Sequence, residues 1–300
     1  MEQTTEMRES KFFKSSKIFE NVTLISGLAG EQCYLVEGSE RALLIDGLTG
    51  VGSLRAYIRE LTDLPVLVVV THGHLDHTGA VFEYRECFIH PEDMALMSSG
   101  MHSGEEARLE FATRKPQEGI TLADVVPAVP VKTYPIYDGD MFDLGGVMIE
   151  VIAVPGHTRG TVVLLDRANR AVYSGDACNL NTLLNLPGSA SIEEYLESLH
   201  HLKQYEGAFD VMWGGHGKRA VPKSAVEDGI RLCEEILTGK DDRIAVPPTS
   251  KRSKEGCLLA KQRGENFLPV EGGYCNIVYT LDGLHRAEKQ PIREIPYQNR

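Results

Sequence analysis

The sequence lacks the cysteine patterns of disulfide-stapled proteins and of thiolate zinc sites. Its six cysteines are widely scattered, and no two of them form a Cys-x-x-Cys pair. Closely spaced cysteine pairs indicate structural zinc, and dense cysteines in a short chain indicate a disulfide framework. Both kinds of protein are therefore disfavoured. Cys178 is expected to be a small buried hydrophobic residue, which is the ordinary role of a free cysteine.

Long apolar runs are also missing. No window approaches the about 18 consecutive apolar residues that a membrane-spanning helix needs. The first 16 residues are polar and charged, and they hold no apolar stretch of signal-peptide length. We therefore expect a cytoplasmic protein with no membrane partner.

Basic residues are too few to give the chain a positive surface. Lys and Arg number 31 against 43 Asp and Glu, and the formal net charge is −12. Because nucleic-acid binding depends mainly on Lys and Arg contacts to phosphate, we expect no nucleic-acid partner. The expected partner is a small-molecule substrate, and a homodimer is left open.

What the sequence does contain is a dense cluster of imidazoles with a carboxylate. His72, His74, Asp76 and His77 closely follow the apolar run 67–70. Imidazole nitrogen and carboxylate oxygen are the ligands that zinc and related divalent ions prefer. A strand delivers its last residues to one edge of a sheet, and the tight His-Gly-His step lets alternate side chains face one point. The cluster therefore predicts a metal site.

Three further candidate ligands stand in similar settings. His157, Asp176 and His216 each lie in a glycine-containing turn after an apolar strand. Glycine allows the backbone angles that such turns need. With the first cluster they make seven candidate ligands, a number that suits two metal ions sharing one carboxylate. Asp46 ends the apolar run 43–45 and is expected to be either a turn former or a partner of a metal ligand.

The order of strands and helices indicates an α/β layered protein. Short strands between residues 22 and 46, separated by glycine turns, are typical of a β-meander. Farther along, strands alternate with helices, and one helix begins with Ser191 as N-cap and Glu194 at its third position, a capping box. This order predicts two sheets covered by helices. Two late strands, 256–260 and 276–281, predict a hairpin that closes a sheet edge or supports a dimer contact.

The chain is expected to fold as a single domain over residues 1–300, with a core at about 17–240. Two zones stand apart from this core. Residues 91–141 are long and mixed in composition, and they predict a helical insertion that covers the site. Residues 241–300 form a C-terminal extension.

The cluster at residues 72–77 resembles the H-x-H-x-D-H signature of the metallo-β-lactamase superfamily. The order of the five motifs of that family is matched by Asp46, this signature, His157, Asp176 and His216. Pro-Gly-His-Thr around His157 and Ser-Gly-Asp ending at Asp176 are similar to the glyoxalase II-like branch. The resemblance implies a four-layer αβ/βα sandwich, in which two mixed β-sheets are flanked by helices. It also implies a dinuclear metal site along one edge of the sheets.

The same resemblance implies which side chains hold which ion. One ion would be bound by three histidines and the other by a mixed set, with Asp176 bridging both. The first set is His72, His74 and His157, and the second is Asp76, His77 and His216. Asp46 would hydrogen-bond a ligand imidazole and fix its orientation. Antibiotic-hydrolysing members often have cysteine at the bridging position, so Asp176 disfavours β-lactam turnover.

Zinc is the expected metal, while iron and manganese stay open because imidazole and carboxylate accept all of them. We expect a hydrolase in which hydroxide bound by both ions attacks a small ester, thioester, lactone or amide. Asp76 and Asp176 are the expected catalytic residues, with Asp76 relaying a proton. Arg159, close to His157 in sequence, is a candidate contact for a substrate anion. The alternatives are a phosphodiesterase for a small phosphodiester and an iron-dependent, persulfide dioxygenase-like redox enzyme.

Overall fold

The first sheet has eight strands that lie side by side in chain order. The computed structural model describes residues 7–115, 117–217, 220–247, 255–264 and 268–286. The strands are β1 (Met7–Glu9), β2 (Lys14–Phe19), β3 (Val22–Ser26), β4 (Gln32–Glu37), β5 (Ala42–Ile45), β6 (Val66–Val69), β7 (Glu86–Ile89) and β8 (Lys132–Pro135). The strands from β1 to β5 are antiparallel, which is the predicted meander, and those from β5 to β8 are parallel.

The second sheet has six strands in the order β15-β14-β12-β11-β10-β9. They are β9 (Met141–Asp143), β10 (Met148–Ala153), β11 (Val162–Asp166), β12 (Ala171–Gly175), β14 (Val211–Gly214) and β15 (Val221–Pro222). β12 and β14 are parallel neighbours, whereas the other pairs are antiparallel. Both main sheets are therefore mixed, as the family resemblance implies.

Helices cover the outer faces of the two sheets. They are α1 (Leu54–Arg59), α2 (Val81–Tyr84), α3 (Pro91–Ser98), α4 (Gly100–Ser103), α5 (Glu105–Ala112), α6 (Ile192–Lys203) and α7 (Ser224–Thr238). The predicted capping box of α6 is present: the Ser191 hydroxyl accepts from the Glu194 amide at 3.2 Å, and Glu194 Oε2 accepts from the Ser191 amide at 2.9 Å. Within the described ranges, no helix is both long enough and apolar enough to cross a membrane.

The hydrophobic core has three layers, one between the two sheets and one between each sheet and its covering helices. Between the two sheets, Tyr34 and Val69 of the first pack with Val151 and Tyr173 of the second. Apolar side chains of α1 and α3 pack against the other face of the first sheet. Those of α6 and α7 pack against the outer face of the second. The result is the predicted four-layer αβ/βα architecture.

The predicted helical insertion is helical only in its first half. α3, α4 and α5 occupy 91–112, but residues 132–135 form β8 and pair in parallel with β7. Thr133 and Tyr134 favour a strand, and the chain thereby returns to the edge of the first sheet. The helical prediction was therefore wrong for the end of this segment.

The C-terminal hairpin forms, but in a sheet that was not predicted. β17 (Leu258–Leu259) and β18 (Ile277–Tyr279) are antiparallel, and they belong to a four-stranded sheet in the order β13-β18-β17-β16. The other members are β13 (Thr182–Leu183) and β16 (Ile244–Ala245). The hairpin therefore does not close an edge of either main sheet. Strands of two or three residues are too short to show a periodic pattern in the sequence.

Candidate metal centre

The predicted ligands lie in loops that leave one edge of the two main sheets. The loop that begins at His72 follows β6, and the loop of His157 follows β10. Asp176 directly follows β12, and His216 lies just after β14. Because β12 and β14 are parallel neighbours, their loops leave from the same edge. The sheet order thus brings ligands that are distant in sequence to one place.

Candidate ligand atoms form three overlapping groups, in each of which all atoms lie within 4.8 Å of one another. The groups are His72, His74 and His157; His72, His77 and Asp176; and Asp76, His77 and His216. The first is the three-histidine set implied by the resemblance, and the last is the mixed set. Asp176 belongs to the group that joins them. The structure thus brings together all seven predicted ligands.

Several of these ligand atoms are buried without a hydrogen-bond partner among the described residues. They are His72 Nε2, His77 Nε2 and Asp176 Oδ1. Buried polar atoms normally have a partner, because leaving one unpaired costs about 1–3 kcal/mol. A divalent cation is the partner that imidazole and carboxylate groups accept together. The donor set therefore fits metal ions.

Ring nitrogens of the three-histidine set are turned toward one another. His74 Nδ1 lies 2.9 Å from His157 Nε2. The other nitrogen of His157, Nδ1, donates to the carbonyl oxygen of Leu183 at 2.8 Å. This bond fixes the tautomer, because the proton stays on Nδ1 and leaves the Nε2 lone pair facing His74. His157 is thereby held as a ligand by the third sheet, since Leu183 belongs to β13.

The protonation states of His72, His74 and Asp176 suit a metal site. Burial lowers the pKa of His72 and His74 well below the ordinary value, and neighbouring imidazoles add to the shift. Burial alone would raise the pKa of Asp176, but His216 and His77 outweigh it, and the pKa of Asp176 is lowered. His72 and His74 are therefore neutral, and the carboxylate of Asp176 is ionised. These are the forms in which such side chains bind metals.

Asp46 joins the end of β6 to a ligand histidine. Its Oδ2 accepts from His77 Nδ1 at 2.8 Å and from the Thr71 hydroxyl at 2.9 Å. Its Oδ1 accepts from the Thr71 amide at 2.7 Å. Burial alone would lower the pKa of His77, but the carboxylates of Asp46 and Asp76 raise it to about 9. The hydrogen bond from His77 Nδ1 to Asp46 turns the other ring nitrogen, Nε2, toward the remaining ligands. His77 Nε2 lies 3.8 Å from Asp76 Oδ2.

The sequence profile of the metallo-beta-lactamase superfamily matches residues 27–214. The chain belongs to the metallo-β-lactamase superfamily. The match contains every predicted ligand except His216, which lies just beyond its end. The family and the fold expected from the sequence are thus confirmed, whereas the narrower likeness to glyoxalase II stays a prediction.

Relatives of this superfamily member include acyl-coenzyme A thioesterases. MBLAC2 of Gallus gallus is 29% identical over 198 residues, which are 61% of this chain and 71% of that protein. The protein of the same name from Homo sapiens is 27% identical over 183 residues, which are 56% of this chain and 66% of that protein. About a third of each relative therefore lies outside the match.

A solved structure supports the fold alone. The sec-alkylsulfatase Pisa1 from Pseudomonas sp. superposes with a TM-score of 0.57 at 15% identity. The superposition covers 75% of this chain and 42% of that chain. At this identity the likeness says nothing about the substrate of the superfamily member described here.

A carboxylate from the insertion, not predicted as a site residue, ties two ligand loops together. Asp93 of α3 is 1% exposed, and its Oδ2 accepts from the Gly73 amide and the Thr158 hydroxyl, each at 2.7 Å. Its Oδ1 accepts from the Gly160 amide at 2.9 Å. A Cβ on Gly160 would lie 2.7 Å from the Asp93 carboxyl. In the sequence, Asp93 shows only as an acidic residue in the first turn of a helix, which is ordinary.

A second residue of the insertion, His102 of α4, also lies at the site. It is 5% exposed, and its ring stacks on that of His74, with centroids 5.1 Å apart and planes 28° apart. In His72, His77 and His157, the ring nitrogen Nδ1 has a hydrogen-bond partner. In His74, Nδ1 faces His157, and the other nitrogen, Nε2, has no hydrogen-bond partner in the described part of the chain. The contact with His102 therefore orients His74. Its only sequence signal is a histidine inside the predicted insertion.

Arg159 lies in the loop of His157 but pairs away from the ligands. Its guanidinium donates to both carboxylate oxygens of Glu194, at 3.0 and 3.1 Å. Glu194 is the capping-box residue of α6, so the ion pair joins the ligand loop to that helix. Contact with a substrate anion stays a prediction for Arg159.

Proposed function

We propose that this protein is a metal-dependent hydrolase of acyl thioesters, with acyl-coenzyme A as the first substrate class to test. The observation that carries the hydrolase proposal is the complete ligand set, in which Asp176 joins a three-histidine group to a mixed group. The thioester proposal is supported by the relatives named acyl-coenzyme A thioesterases. Esters, lactones and amides share the same electrophilic carbonyl and form the comparison substrates.

In this proposal, two ions would be held by separate groups of side chains that share one carboxylate. His72, His74 and His157 would hold one ion, and Asp176 would be shared. The second would be held by Asp76, His77 and His216. Zinc suits sets rich in imidazole, and a pair of such ions, when bound, supplies a hydroxide nucleophile near neutral pH and polarises the thioester carbonyl.

The chain's own residues orient the ligands and handle a proton. Asp46 and the Leu183 carbonyl fix two of the ligand imidazoles, and Asp93 holds their loops against each other. Asp76 Oδ2 lies 3.1 Å from His216 Nε2. Burial alone would raise the pKa of Asp76, but His77 and His216 outweigh it and lower that pKa. Asp76 is therefore ionised, and the proposed mechanism assigns it the relay of a proton during turnover.

The test begins with the metal content of the protein as purified without added metal. Two zinc ions per chain, with release of free thiol from an acyl-coenzyme A, are the expected results. The Asp176→Ala variant is the matched control, because it keeps both histidine groups and removes the shared carboxylate. One iron per chain with oxygen uptake on a persulfide would overturn the proposal, as would turnover of a phosphodiester without any thioester.

A further inference from the structure

Two cations converge on one backbone carbonyl near the metal centre. Lys115 Nζ lies 3.1 Å from the Ala29 carbonyl oxygen, and Arg114 Nη2 lies 3.4 Å from the same oxygen. Both side chains are exposed. Neither forms an ion pair with a carboxylate in the ranges that the structure covers, whereas Arg159 and Arg170 each do. A carbonyl does not neutralise a cation, so both keep their charge for another partner.

Packing fixes this pair against the turn that bears the carbonyl. Leu28, in the turn, belongs to a small apolar cluster with Ala112 of α5. Arg114 also lies over the ring of Phe111, with its guanidinium carbon 4.0 Å from the ring centroid. A guanidinium held on an aromatic face has less freedom to lose when it binds an anion. The insertion thus delivers two cations to a defined position.

The turn itself lies beside a predicted metal ligand. The Gly27 amide donates to the Glu31 carbonyl at 2.9 Å, and the Ala29 amide donates to Glu31 Oε2 at 3.0 Å. Glu31 in turn pairs with His216 across a β-bridge. Ala29 is therefore two residues from the segment that contacts the metal centre. The exposed cations therefore contact a turn that leads directly to the residue paired with His216.

Resting on the proposed thioester activity, we propose that Arg114 and Lys115 form a subsite for the phosphate groups of a coenzyme A-type thioester. A substrate with several phosphates is repelled by a chain of net charge −12, so it needs local cations to bind. Arg and Lys are the side chains that bind phosphate oxygens. In coenzyme A a flexible arm separates the phosphates from the thioester, which suits exposed cations on a turn that leads toward His216.

The experiment compares two thioesters with the same acyl group in the zinc-loaded protein. One is the acyl-coenzyme A, and the other is the N-acetylcysteamine thioester, which lacks the phosphates. In the Arg114→Ala/Lys115→Ala double variant, KM for acyl-coenzyme A should rise about tenfold or more. KM for the neutral thioester and both kcat values should stay unchanged. Lys132→Ala, which removes another exposed cation resting on an aromatic ring, is the control and should change nothing.

A direct binding measurement keeps this inference separate from the proposed function. Desulfo-coenzyme A, which has no thiol to reach a metal ion, should bind the wild-type protein in calorimetry and bind the double variant about tenfold more weakly. Equal affinity for both proteins, or a KM increase that is the same for both thioesters, would overturn the subsite. Failure of the wild-type protein to hydrolyse either thioester would instead overturn the proposed function, whatever the binding result.

Discussion

Asp46 and His77 share a hydrogen bond of 2.8 Å between two side chains that are almost completely buried. The carboxylate also accepts two bonds from Thr71, so all its contacts are with donors. In Asp46→Asn the amide nitrogen must face one of these donors. We expect zinc affinity of the mixed set to fall by about 10- to 100-fold, as when other groups that orient metal ligands are changed. Titration against a chromophoric chelator measures it, and an unchanged affinity would contradict the assigned role.

Asp176 is the side chain that the proposed mechanism shares between two metal ions. In Asp176→Ala we expect thioester hydrolysis to fall by at least about a hundredfold, with less than the full metal content retained. Circular dichroism should show the native fold, because the lost carboxylate is a ligand and supports no core contact. Wild-type activity in this variant would contradict the dinuclear mechanism.

The stack of His102 on His74 gives a prediction with a built-in comparison. His102→Ala removes the ring that orients His74 and should weaken zinc binding by about threefold to tenfold, the range for aromatic pairs. His102→Phe keeps a ring of similar shape and should bind zinc like the wild-type protein. If phenylalanine and alanine have the same effect, the stack does not position His74.

Glu194 gives a prediction on stability at low pH. Burial alone would raise its pKa, but Arg159 and Ser191 outweigh it and lower the pKa of Glu194 to about 2. A lowered pKa stabilises the folded state above the unfolded value of about 4.5, and this stabilisation is lost as pH falls toward 2. Glu194→Gln should therefore cost about 1 kcal/mol of unfolding free energy near pH 6 and much less near pH 3. Urea unfolding at both pH values measures this, and a constant difference would be the contrary result.

The sequence reveals the ligands better than it reveals the residues that support them. His72, His74, Asp76 and His77 stand within one short loop, so their chemistry is visible without any tertiary information. Asp93 is different, because its role arises only where α3 packs over a loop far away in sequence. No local pattern separates such a carboxylate from an ordinary residue in the first turn of a helix.

The same limit applies to the fold. The meander and the alternating strands and helices are long enough to show their period, so the two main sheets were predictable. The third sheet was not, because β13 and β16 have two residues each. The end of the insertion was also mispredicted, since β8 owes its strand conformation partly to pairing with β7.

The third sheet extends the part of this protein that supports the metal site. The family profile ends at residue 214, yet β18 pairs with β13, whose Leu183 carbonyl sets the tautomer of His157. A segment beyond the matched profile thus supports the strand that orients a predicted ligand. Two superfamily members with identical ligand residues can therefore differ in how firmly they retain metal, and evolution can tune that retention by altering that segment alone.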